Sequence, residues 1–107
     1  MSYKGSDLSQ EFKSFFRKEK NRITKILTNL GCTSIQLDYG FYYFSGFFTS
    51  KSGQIYYLSC SDTRFMGEID GYNRGQLLYR TAKHYKDWTG GSNQYISPSD
   101  LENIRLN

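Results

Sequence analysis

The sequence predicts an α+β domain: a long N-terminal amphipathic helix packed on an antiparallel sheet of about four strands, with a short C-terminal helix. Two observations carry the prediction. Apolar residues recur every three or four positions up to Leu30, and directly after Gly31 the pattern changes to alternation. The length, 107 residues, adds that one unit spanning 1–107 suffices, large enough to close a hydrophobic core without disulfides or metals.

The helix is expected over Ser6 to Leu30. Leu8, Phe12, Phe15, Phe16, Ile23, Ile26, Leu27 and Leu30 share one face. Ser6 or Asp7 can accept the first free backbone amides, Asp7 and Glu11 suit the positive end of the helix dipole, and Gly31 suits the left-handed residue that ends a helix. Ser34 to Leu37, Tyr42 to Thr49 and Gln54 to Ser59 then read as a three-stranded meander, with turns at Asp38-Tyr39-Gly40 and Lys51-Ser52-Gly53. Ser61 to Gly75 reads as a loop, with room for a short strand around Phe65 to Ile69. Gln76 to Trp88 fits two patterns: a helix with Leu78, Ala82 and Tyr85 on one face, or a strand over Gln76 to Ala82, which is the reading favoured. Thr89 to Asn93 is a turn, Asn93 to Ile96 an edge strand, and Pro98 opens a last short helix reaching Leu106.

Composition constrains the core and the class. The chain has 8 Phe, 10 Tyr and 1 Trp, a single Ala and no Val, so rings must fill the interior. Their abundance matches AT-rich codons, as in a low-GC organism or its phages. No apolar run approaches the roughly 20 residues of a membrane span, and Met1 to Asp7 lack a secretory core, so a cytoplasmic protein with no membrane partner is expected. Cys32 and Cys60 lack zinc-ligand spacing and would lie at opposite ends of the meander, so reduced, buried thiols are expected.

The charge is unevenly placed. The formal net charge is +4, and residues 1–30 hold seven basic residues against three acids, whereas the remainder holds seven of each. Lys13, Arg17, Lys18, Lys20, Arg22 and Lys25 form stripes on the helix face opposite the apolar one, a pattern suited to phosphate contacts, to an acidic protein surface or simply to solvent. A second group, Arg80, Lys83 and Lys86 with Tyr85 and Trp88, combines cations with rings as a single-strand groove does, although such rings equally serve a core. The pairs Tyr42-Tyr43, Phe47-Phe48 and Tyr56-Tyr57 place one ring on each face of a strand. The face away from the helix is therefore either covered or a binding surface.

No catalytic residue, metal or cofactor is assigned. His84 is the only histidine and sits in no nucleophile motif. Asp62, Glu68 and Asp70 resemble a metal-dependent nuclease cluster, but Arg64 and Arg74 are ready partners and the usual companion lysine is missing. Were Gln76 to Trp88 helical, the order helix, three strands, helix would resemble a double-stranded-RNA-binding domain, with Arg80 to Lys83 near that family's basic second helix. The short Asp38-Tyr39-Gly40 link and the basic excess on the first helix depart from it, and the assignment is not adopted. The expected function is a non-catalytic binding protein acting on nucleic acid or on a nucleic-acid-bound protein complex. Class-level considerations extend this to a phage or mobile-element inhibitor of host defence, as anti-CRISPR proteins are. A homodimeric interaction module and a small nuclease using the acidic loop are the alternatives.

Overall fold

The computed structural model describes residues 10–40, 43–60 and 77–107. Within them, α1 (Gln10–Asn29) is followed by β1 (Thr33–Tyr39), β2 (Phe44–Thr49), β3 (Ile55–Cys60), β4 (Leu77–Ala82) and β5 (Gln94–Ile96), and a 3₁₀ helix spans Pro98–Asn103. The strands form one antiparallel sheet in chain order, so the fold is α+β, with five strands in place of about four.

Helix α1 forms because Phe12, Phe16, Ile23 and Leu27 fall on one face, and all four are buried against the sheet. It ends as the sequence predicts. Gly31 adopts φ +89°, the Cys32 amide donates to the Leu27 carbonyl (2.9 Å) and the Gly31 amide to the Thr28 carbonyl (3.0 Å), a Schellman cap that turns the chain straight into β1. The expected start at Ser6 or Asp7, and Leu8, lie outside the described residues. So do Tyr42, the expected strand around Phe65 to Ile69, and the cluster Asp62, Glu68 and Asp70.

Alternation then sorts the strands into two faces. Leu37, Phe44, Phe48, Tyr56, Leu58, Cys60, Leu77 and Tyr79 lie buried under α1 and the 3₁₀ helix, where Phe48 stacks on Tyr56 at 5.5 Å. Leu101 of the 3₁₀ helix closes this core. The other face carries the cross-strand row Gln36, Phe47, Tyr57, Arg80 and, beside it, Asp38, Ser45, Ser59, Leu78, Tyr95. The ring pairs Phe47-Phe48 and Tyr56-Tyr57 are thus split between faces. Cys32 and Cys60 are buried thiols outside any disulfide, at opposite ends of the sheet, and burial pushes the Cys32 thiol pKa up.

Two local expectations are corrected and one ambiguity is resolved. The first turn does not fall at Asp38-Tyr39-Gly40: β1 continues through Asp38 and Tyr39, which pair with Ser45 and Phe44, and the Gly40 amide donates to the Tyr43 carbonyl. Tyr39 gains ring contacts with Phe16 at 5.0 Å and Phe12 at 6.1 Å by staying in the strand, and this outweighs the turn preference of Asp and Gly. The last helix stops at Asn103 and does not reach Leu106. Ile104 turns to an extended conformation, and the tail is anchored where the Asn107 amide donates to the Tyr56 hydroxyl (2.8 Å) and Ser50 Oγ donates to the Asn107 carbonyl (2.6 Å). The strand reading favoured for Gln76 to Ala82 holds over the described residues Leu77–Ala82, which pair with β3 and β5, and the helical alternative for this stretch falls away.

Candidate functional site

Two separate surfaces carry the residues singled out from the sequence, and the sheet lies between them. On α1, the outer side presents Arg17, Lys18, Lys20 and Lys25 to solvent, with Lys13 half-buried beside them. None of these five cations has an ion-pair partner among the described residues. They span about 18 Å along the axis at 1.5 Å per residue. Arg22 is differently employed. Its guanidinium binds Glu19 through two hydrogen bonds (2.7 and 2.9 Å) and donates to the Pro98 carbonyl (3.0 Å), clamping the 3₁₀ helix to α1. Sequence periodicity places Arg22 on the basic stripe but cannot reveal this distant carbonyl.

The second surface is built by the segment that follows β4. Asp87 organises it: the carboxylate accepts the amides of Lys83 (2.9 Å) and Thr89 (3.0 Å) and the Thr89 hydroxyl (3.2 Å). These bonds favour the ionised form, the Lys83 amide most, and hold the Asp87 pKa below its ordinary value; the nearby His84 adds to the effect. Lys86, just before it, is forced to φ +73°, a left-handed conformation that a non-glycine residue rarely adopts. Further on, Gly90 passes so close to β4 that a Cβ there would lie 2.0 Å from the Thr81 carbonyl oxygen, and the Gly91 amide donates to that same oxygen at 2.8 Å.

This segment lies across the middle of the second sheet face. Tyr85 is half-buried, donating its hydroxyl proton to the Ser34 carbonyl (2.7 Å) while sharing a bond with Thr49 Oγ1 (2.9 Å). Ser34 is the bulged residue of β1, with φ +51°, so Tyr85 satisfies a carbonyl the bulge removes from the ladder. Arg80 reaches over the Tyr57 ring (4.7 Å to the centroid) and donates to Asn93 Oδ1 (2.9 Å) and to the Trp88 carbonyl, with its Nε left buried and unpartnered. Trp88 meets Phe47 at 5.2 Å and Tyr57 at 5.7 Å, both edge-on, yet remains 57% exposed. Phe47 is 5% exposed beneath it. Among the described residues the second face is therefore covered at its centre, whereas Asp38 and Tyr95 at one end are exposed. Of the second sequence group, Arg80 and Tyr85 are latches of this cover, whereas Lys83, Lys86 and Trp88 face solvent.

Beside Trp88 a cleft of about 140 Å³ is lined by Gln36, Asp38, Ser45, Gly46, Phe47, Lys86 and Trp88. Gln36, Asp38 and Ser45 were not singled out from the sequence: Asp38 reads there as part of a turn, and alternation alone does not show what Gln36 and Ser45 would face. A shallower recess of about 640 Å³ lies near Lys83 and Gly90. His84 is exposed, with Nδ1 2.8 Å from the Tyr85 carbonyl oxygen. Cys60 stands at the opposite end of β4, paired with Leu77 and roughly 17 Å from the Ala82 end, so the two form no nucleophilic pair. Among the described residues no three His, Cys, Asp or Glu side chains cluster as metal ligands, and no helix is long and apolar enough to cross a membrane.

Together these features define a helix-covered antiparallel meander whose far face is roofed by one latched loop. Compared with protein-family models, curated proteins and solved structures, the chain matches none of them.

Proposed function

We propose that this protein binds nucleic acid without catalysis, through phosphate contacts along the outer side of α1. The observation that carries the reading is the set Arg17, Lys18, Lys20 and Lys25, exposed on a rigid helix, with Lys13 beside them and no acidic partner among the described residues. Cations held at fixed spacing displace condensed counterions from a phosphate backbone and supply affinity without base selectivity. Glu19 on that helix is already engaged by Arg22.

The salt dependence of binding tests this. Four phosphate contacts give a slope of about −3.6 in log K against log salt, which means roughly 150-fold weaker binding at 200 mM than at 50 mM. Changing Arg17, Lys18, Lys20 and Lys25 together to Ala should flatten the slope in fluorescence anisotropy with labelled duplex and single strands. If bare DNA and RNA both go unbound at 50 mM salt, the reading fails, and the basic side of α1 is left to an acidic protein surface, as in an inhibitor of a nucleic-acid-bound complex.

A further inference from the structure

The cleft beside Trp88 lies across the sheet from α1 and serves none of the phosphate contacts proposed there. Its lining combines ring surface from Phe47 and Trp88, the amide of Gln36, the hydroxyl of Ser45, the carboxylate of Asp38 and the ammonium of Lys86. Asp38 and Lys86 are both exposed and, although opposite in charge, form no ion pair with one another, so each is available to a ligand. At about 140 Å³ the cleft has room for one planar ring system and is too small for a drug-sized molecule.

We propose that this cleft binds a guanine base carrying a phosphate, as a free nucleotide or as an unpaired residue of a strand. Trp88 provides the stacking surface. Its ring packs at steep angles against Phe47 and Tyr57 and its backbone is held by the Arg80 guanidinium, so little freedom remains to be lost when a base stacks on it. Asp38 provides the selection. An ionised carboxylate only accepts hydrogen bonds, and guanine is the base whose pairing edge offers two adjacent donors, N1–H and the N2 amino group. Adenine and cytosine set an acceptor beside their amino group, and uracil flanks its one N–H with two carbonyls, each of which would face the carboxylate unfavourably. Lys86 provides the cation for the phosphate. Its left-handed backbone, bracketed by the bonds of Asp87, is an observed departure from the relaxed conformation at the edge of the cleft, where strain commonly accompanies ligand contact.

The inference does not rest on the α1 reading, and one experiment separates them. Trp88 is the only tryptophan in the chain, so fluorescence excited at its long-wavelength edge reports this site alone. The full chain is titrated with GMP, AMP, CMP and UMP, and with short uridine strands containing one or no guanosine. Saturable quenching by GMP, or by the guanosine-containing strand, at least about fivefold tighter than by the other bases is expected, the lower end of what a bidentate base contact discriminates. Response to GMP places the base as a free nucleotide; response to the strand alone places it within a chain. Asp38→Asn, an exposed position whose folding is checked by its melting curve, should reduce the guanine response to the level of adenine. The fourfold alanine variant of α1 should leave the response to free GMP unchanged. Equal quenching by all four bases, no saturable quenching by either millimolar GMP or the guanosine-containing strand, or an Asp38→Asn variant that still prefers guanine would each overturn the assignment.

Discussion

Replacing Trp88 with Ala removes a ring from the roof while leaving the loop's main-chain anchors in place, because the bonds made by Arg80, Asp87 and Gly91 involve backbone atoms or other side chains. Trp88 as a residue is 57% exposed, so about 110 Å² of roughly 250 Å² is covered, which at ~25 cal/mol per Å² corresponds to about 2.7 kcal/mol. Its edge contacts with Phe47 and Tyr57 fall within the same interaction, and a loss of about 2–3 kcal/mol is expected. For a chain of 107 residues the unfolding entropy is about 0.22 kcal/mol/K, and Tm should fall by about 9–13 K. Far-UV circular dichroism follows the melt without relying on the deleted fluorophore, and urea unfolding checks that the slope m is unchanged. Pairing Trp88→Ala with Phe47→Leu in a double-mutant cycle should give a coupling of about 0.5–1.5 kcal/mol. A Tm loss under about 3 K together with zero coupling would refute the packing of Trp88 on Phe47, and with it the base-stacking surface.

Other perturbations probe the joints of the fold. Gly46→Ala would set a Cβ 1.8 Å from the Gln36 carbonyl oxygen and 2.8 Å from the Leu37 Cα, both backbone atoms; separating β1 from β2 should cost about 3 kcal/mol, read by chemical denaturation. Gly90→Ala meets the Thr81 carbonyl in the same way and should lift the loop, seen as a red shift of Trp88 emission with the sheet still folded by circular dichroism. The Asp87 pKa is depressed in the folded protein. Its stabilisation is therefore complete above the ordinary carboxylate value of about 3.9 and is lost as pH falls through the lower folded value. The stabilities of the wild type and Asp87→Asn should differ at pH 7 and converge toward pH 2; a gap that persists at low pH would count against the carboxylate as the organiser of the loop.

Helix α1 and its stop were legible in the sequence because both are local: the spacing of Phe12, Phe16, Ile23 and Leu27 and a glycine where φ must be positive depend on neighbours a turn away. Alternation likewise exposed the split of Phe47 from Phe48 and Tyr56 from Tyr57. The partition of charge pointed to α1, although it could not separate Arg22, bound to the Pro98 carbonyl 76 residues away, from the four cations left in solvent. In the same way the sequence grouped Arg80 and Tyr85 with exposed cations and rings and could not show that they latch the loop, since their partners Tyr57, Asn93, Ser34 and Thr49 come from other strands and turns.

What the sequence by itself determined is periodicity and charge, properties of residues within a few positions of one another. What only the tertiary structure decided is pairing. The register that aligns Gln36 with Phe47, Tyr57 and Arg80 brings Asp38 from β1 to the same cleft as Lys86 and Trp88 from a loop nearly fifty residues later. An alternating strand marks which residues face away from the core, but not what will face them, because that depends on long-range contacts that close only when the whole sheet forms.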